Sequence, residues 1–341
     1  MDSTFPREHW RPGEVMRPRF TSGREPWVFR ALSPEQLCGH HPELISEALV
    51  GDEPVHYMLY APLVEAKGER FGARGPCGSH AVAVTSRRFL VARDPHQPGV
   101  SRSLRAIPFD RVQWIELGQA LALGWLVISF LSDGVLESET VFFPASGIHH
   151  FQAAVRSFRR RGPGASSSAV HPDWQGVSQG APPYLRHGLE PLALEGERPL
   201  VIFQCGERWG TEGNGRRRRP RCVCPAGLGV LTDRGLLWLE SERPSRPGEL
   251  VFGVNATVLD RQDIAEVSLA TRTECGVPLR VLSLNLRAGP HAIRREIPLN
   301  DEWATDAERA VQLLRERVEA SRVLANGGQS IDVLLLKESA T

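Results

Sequence analysis

Arg216-Arg217-Arg218-Arg219, followed by Pro220 and Arg221, is the densest run of one side-chain chemistry in the 341-residue chain. Guanidinium forks bind carboxylate and phosphate oxygens through paired N–H donors. Several in one loop contribute about 1 kcal/mol each beside an anionic surface. Lys67, Arg70 and Arg74 form a sparser basic group, diluted by Glu65 and Glu69. Gly213 and Gly215 accompany the first run, and charge runs ordinarily mark solvated segments, so a plain exposed loop is the competing reading. An acidic protein partner is a third. Nucleic acid is disfavoured, because no aromatic residues interleave with the basic ones to form a stacking platform.

Cysteine and histidine supply the other candidate chemistry. Alternation along a strand puts Cys222 and Cys224 on one face, with Cys205 on a paired strand within reach. Three thiolates and a histidine would suit zinc. The C-x-C spacing is not that of a C-x-x-C knuckle and no histidine is local, so no metal and no cofactor is assigned, and buried thiols are the default. The pairs His40-His41 and His149-His150 are sequence neighbours that point apart on a helix, and neither makes an i, i+4 ligand set. The chain lacks P-loop, H-E-x-x-H and Rossmann patterns. The expectation is a protein that binds rather than catalyses.

Composition narrows the setting. Net charge is +1, so no global field draws the chain to nucleic acid or membrane. Of the basic residues only Lys67 and Lys337 are lysines. This bias suits either anion recognition or a GC-rich genome. Gly 32 and Pro 26 favour turns and exclude a coiled coil. Six cysteines in so long a chain are no disulfide framework. Met1 to Arg30 carries no apolar core of a signal peptide, and Leu121 to Leu131 is too short to span a bilayer. The expected location is cytoplasmic, with the inner face of the membrane as the peripheral alternative.

The elements that must position these residues read as a repeat. Gly51-Asp52-Glu53-Pro54-Val55 matches Gly196-Glu197-Arg198-Pro199-Leu200, an offset of 145. Ala83 to Leu90 matches Val230 to Leu237 with Thr85 on Thr232, an offset of 147. Val112, Ile115 and Leu117 fall on Ile264, Val267 and Leu269, Pro144 on Pro298, and Val155 on Val311. The offset only grows, so the matches stay in order. Each copy reads as strands followed by one helix. Ala81 to Ala92 and Ile107 to Leu117 have strand composition, and Trp125 to Phe143 reads as a hairpin around Ser132-Asp133-Gly134. In the second copy the matching hairpin turns at Arg287 to Pro290. Ile148, Phe151, Val155 and Phe158, and then Trp303, Ala307, Val311, Leu314 and Val318, make helical apolar stripes. Trp114, Trp125, Trp238 and Trp303 fall at core-like positions.

This order resembles the bacterial pleckstrin-homology-like (bPH or GRAM-like) superfamily. The residues that carry the resemblance are Val84-Thr85-Ser86-Arg87-Arg88-Phe89-Leu90 and Ile107-Pro108-Phe109-Asp110-Arg111-Val112. The second copy keeps Leu231-Thr232-Asp233-Arg234-Gly235-Leu236-Leu237 and a degraded Val258 to Ile264. The resemblance implies a mainly β fold with α: two tandem partly open β-barrels, each closed by a C-terminal amphipathic helix. It implies binding of lipids, peptides or proteins, with basic residues of the first loop as the anion site in lipid-binding members.

The expected division is a loosely attached segment 1–32, then a first domain 33–161 with a short N-terminal helix. A Gly/Pro/Ser-rich linker 162–187 leads to a second domain 188–322 and a tail 323–341 holding the apolar run Ile331 to Leu336. The functional expectation is a scaffold that engages a protein partner or another copy of itself. The alternative is attachment to anionic lipid or another phosphate ligand through residues 216–221.

Overall fold

A computed structural model describes residues 27–51, 53–66, 75–95, 101–161, 174, 180–213, 218–260, 263–286, 293–299 and 304–326. The chain is mainly β, and among the described residues none of its antiparallel sheets closes into a barrel. The first half runs β1 (Phe29–Arg30), α1 (His41–Ala48), β2 (Val55–Ala61), β3 (Val64–Ala66), β4 (Gly75–Cys77), β5 (Ser79–Thr85), β6 (Arg88–Asp94) and β7 (Ser103–Pro108). It continues through β8 (Val112–Ala120), β9 (Leu123–Ser132), β10 (Val135–Pro144) and α2 (Ile148–Arg159). The second half runs α3 (Pro183–Leu189), β11 (Pro199–Cys205), β12 (Arg208–Glu212), β13 (Arg219–Cys224), β14 (Gly227–Thr232), β15 (Gly235–Ser241) and β16 (Val254–Asp260). It continues through β17 (Ile264–Glu274), β18 (Val277–Leu286), β19 (Ile293–Leu299) and α4 (Ala304–Asn326).

The two halves repeat one order. A helix precedes four paired strands, β2-β5-β6-β7 in one half and β11-β14-β15-β16 in the other. A small hairpin, β3-β4 or β12-β13, sits between the first and second of the four. Three more strands follow, β8-β9-β10 or β17-β18-β19, and then the closing helix. Even an irregularity recurs: the ladder slips between Val112 and Trp114 in β8 and between Ile264 and Glu266 in β17. A bulge at matched positions re-aims both strands in the same way.

The stretch Ala81 to Ala92, which reads as one strand, is a hairpin, because Thr85 folds the chain back at Ser86-Arg87. Ile107 to Leu117 likewise divides into the end of β7, a 3-10 turn at Phe109–Arg111 and β8. The β9–β10 turn has Asp133 and Gly134 at φ 50 and 80, the left-handed pair a two-residue hairpin requires. Cys275 and Gly276, at φ 49 and 79, do the same between β17 and β18. The expected turn at Arg287 to Pro290 lies outside the described residues, as do Trp303, residues 1–26 and 327–341, and most of the expected linker. Phe29–Arg30, within the segment expected to be loosely attached, adds a short strand to β2. Pro183–Leu189, at the end of the expected linker, is helical, and its Leu185 is buried.

The halves share a sheet. β8 pairs with β16, Val254 opposite Gln119 through Val258 opposite Ile115, giving a seven-stranded order β10-β9-β8-β16-β15-β14-β11. Gly118 leaves room for the Trp125 ring, whose Nε1 donates to Asn255 Oδ1 across this joint at 3.3 Å. One core runs from the interior of the first half (Leu59, Val84, Phe89, Ile128) over the joint to Leu228, Val230 and Leu239 beneath α3. A second core, with Phe203, Trp238, Leu282 and Val311, fills the second half. The third covers the other face of β2, β5 and β6, where Ala81, Ala83 and Ala92 let α1 lie close.

Candidate functional site

Thr85 and Thr232, the most conspicuous motif residues, are structural. The Thr85 hydroxyl accepts from the amides of Arg87 and Arg88 and is 2.5 Å from Glu53 Oε1, and Arg88 closes the group with a 2.7 Å ion pair to Glu53. The Thr232 hydroxyl accepts from the amides of Arg234 and Gly235 and donates to Glu197 Oε1 at 2.6 Å. The cation on Glu197 comes from elsewhere: Arg159, at the end of α2, reaches across the halves to it. These groups satisfy a tight turn's donors and leave no reactive group facing solvent.

The basic loop is only partly within view. Arg216, Arg217, Lys67, Arg70 and Arg74 lie outside the described residues. Arg218 and Arg219 are exposed at the start of β13. Arg221 is bound to Glu212 on the facing strand at 2.7 Å. That pair neutralises one of the described guanidinium groups.

The cysteines come together in part. Cys205 and Cys224 place their sulfurs 2.9 Å apart in the second core, while Cys222 turns its thiol onto the Cys224 carbonyl at 3.3 Å. Burial raises the Cys222 thiol to about 12. The bond to Cys205 and then burial raise Cys224 as well. Buried thiols raised in this way are poor nucleophiles. Among the described residues no cluster of three His, Cys, Asp or Glu side chains could hold a metal.

Sequence reading passed over one apparent catalytic pair. His41 Nε2 lies 2.9 Å from Ser79 Oγ, and both residues are almost fully removed from solvent. A serine hydroxyl bonded to imidazole resembles an activated nucleophile, but no substrate reaches it in this conformation. The bond fastens α1 onto β5. The His149 and His150 rings on α2 lie 4.0 Å apart, tilted by 41°, and His150 Nδ1 bonds the Tyr57 hydroxyl at 3.1 Å.

A group of exposed apolar residues lies at one end of the shared sheet. Leu121 is 52% exposed, Leu250 78% and Phe252 65%. The β8–β16 ladder ends at Gln119 opposite Val254, so the Leu121 turn and the Leu250–Phe252 segment leave the shared sheet at the same end. Gly253 lies close to both chains there, since a Cβ on it would sit 3.0 Å from that of Glu242 and 3.2 Å from that of Ala120. Leu121 also holds φ at 50, a left-handed conformation that costs a leucine roughly 1–2 kcal/mol. Fold stability would favour Asn or Gly there and polar residues at 250 and 252. Beneath this tip Glu242 donates its amide to the Gly253 carbonyl at 2.9 Å. Burial, with Glu249 nearby, raises its carboxyl to about 7. The loop's charges are mixed, Arg243 and Arg246 against Glu242 and Glu249. No sequence pattern marks the tip, because a Leu or Phe in a loop reads as one more core candidate until the pairing is known.

Neither a protein-family model nor a curated protein matches the chain. Among the described residues no helix is long and apolar enough to cross a membrane.

Proposed function

We propose that this chain is a non-catalytic scaffold, built from two pleckstrin-homology-like units, that holds a partner protein at the apolar tip formed by Leu121, Leu250 and Phe252. The four-plus-three strand order followed by a helix, present twice, supports the pleckstrin-homology-like reading. The observation that carries the binding role is the tip. Three large apolar side chains stand exposed in the two loops at one end of the shared sheet, and Leu121 is on strained backbone. Apolar surface kept at a cost to the fold marks a contact site. The occupant is a protein with an apolar patch rather than an anionic bilayer, because Glu249 and a partly ionised Glu242 offset most of the charge of Arg243 and Arg246, leaving little attraction to acidic headgroups.

A second reading, attachment to anionic lipid or another phosphate ligand through residues 216–221, is supported by exposed Arg218 and Arg219. It is opposed by the Arg221–Glu212 pair. Two assays separate the readings. Pull-down from the source cell's lysate with wild type and with Leu250→Ser/Phe252→Ser should give a band that the double variant loses. Co-sedimentation with phosphatidylserine vesicles should show no binding beyond that to neutral vesicles. An unchanged band, or sedimentation that falls on Arg218→Ala/Arg219→Ala, overturns the protein-tip reading.

A further inference from the structure

We infer that the chain associates head to tail with copies of itself, by laying the free edge of β17 against the free edge of β7 of the next molecule. The β8–β16 joint is the template. It unites the first strand of one half's three-stranded set with the fourth strand of the other half's four-stranded set. Among the described residues the same two strand types end their sheets at β17 and β7. One intramolecular joint therefore leaves one complementary pair of edges on each molecule.

Residue correspondence sets the register. Arg88 pairs with Pro108, and Gly235 with Asp260, at matched hairpins, so Ser103, Leu104 and Arg105 occupy the places of Asn255, Ala256 and Thr257. The shared bulge puts Ser268, Leu269, Ala270 and Thr271 in the places of Glu116, Leu117, Gly118 and Gln119. Transferring the joint then faces Arg105 with Ser268, Leu104 with Leu269, Ser103 with Ala270 and Arg102 with Thr271. No like charges oppose, and the central pair is leucine on leucine, neighbours of the kind that stabilise a ladder. Arg102 and Arg105 already have carboxylates, Asp94 at 3.8 Å and Glu137 at 2.7 Å. Arg315 donates to the Val267 carbonyl at 3.2 Å, so the new ladder begins at Ser268.

Burial agrees with this assignment. Leu117, Ala256 and Thr257 are buried at the internal joint, whereas Ser103, Arg105, Ala270 and Thr271 are exposed and Leu104 and Leu269 are half-buried. The helices agree as well. α3 packs on β15 and β16 beside the internal joint, and α1 packs likewise on β6 and β7. Unpaired edges are templates for strand addition. A contact between two different edges is heterologous, so it propagates into a ring or a filament.

Sedimentation velocity across a concentration series tests this. Wild type should grow beyond the dimer at concentrations up to about 1 mM, the weak end of specific association. Leu104→Lys blocks β7 and Leu269→Lys blocks β17, and each alone should stay monomeric. Their equimolar mixture should form a 1:1 dimer that grows no further, since one good edge of each kind remains. Phe252→Ser should associate as wild type does, which separates this contact from the tip. Melting curves check that the variants fold, with Thr271→Pro replacing Leu269→Lys if that variant does not. A wild type that remains monomeric throughout, variants that assemble as wild type does, or a mixture that stays monomeric overturns the inference.

Discussion

Arg159, on the last turn of α2, is ion-paired with Glu197, which precedes β11, and both side chains are shut away from solvent. Arg159 also donates to the Leu192 carbonyl, and Glu197 accepts from the Leu194 amide at 2.9 Å and from Thr232. The closing helix of one half is thereby fixed to the opening turn of the other. With the β8–β16 ladder, this makes the two halves one mechanical unit.

Removing one partner of that pair should be costly. Arg159→Met leaves the Glu197 carboxylate buried without its cation, and losses for such cuts run to about 3–5 kcal/mol. The double variant Arg159→Met/Glu197→Gln should lose less than Arg159→Met alone, because no uncompensated charge remains. Urea unfolding measures both, and the wild type should unfold in a single transition.

Thr85→Val and Thr232→Val should behave alike. Each strips two turn amides and one carboxylate of a hydroxyl partner, at a cost of about 1–3 kcal/mol. The melting temperatures of the two variants should fall together, whereas Thr→Ser at either position should restore most of the loss.

Acid should loosen the first half through His80. Burial, with Arg93 and His41 nearby, holds its imidazole at about 3, against an ordinary 6.5. The folded state keeps His80 neutral while the unfolded chain takes up a proton below 6.5. Its contribution to stability is therefore complete above that pH and is lost as pH falls from about 6.5 toward 3, by at most about 1.4 kcal/mol per unit. His80→Val should flatten the slope of unfolding free energy against pH in this window.

Much of this architecture was legible in sequence. The matches of Thr85 with Thr232 and Val112 with Ile264 fall on equivalent hairpins and bulges, because buried strands tolerate few residue types. The α2 stripe of Phe151, Val155 and Phe158 is buried where the spacing puts it. The turn at Ser86-Arg87 was hidden, since no glycine or asparagine marks it and apolar residues flank it on both sides. The β8–β16 ladder was hidden for a different reason. Its partners are more than a hundred residues apart, and an edge strand carries no local sign of what will cover it. The tip inherits that obscurity. The basic loop was legible as charge, but its Glu212 partner depends on the register of β12 with β13.

The most direct test of the tip places a photo-crosslinking amino acid at position 252 of the full chain and irradiates it in the source cell's lysate. A control carries the same group at Val135, which is also exposed and begins β10 opposite Ser132, at the far end of β9 from the tip. The proposal predicts a discrete adduct from position 252, absent from 135, that Leu121→Asn abolishes while leaving the melting temperature equal or higher. No adduct at 252, or the same adducts from both positions, contradicts it.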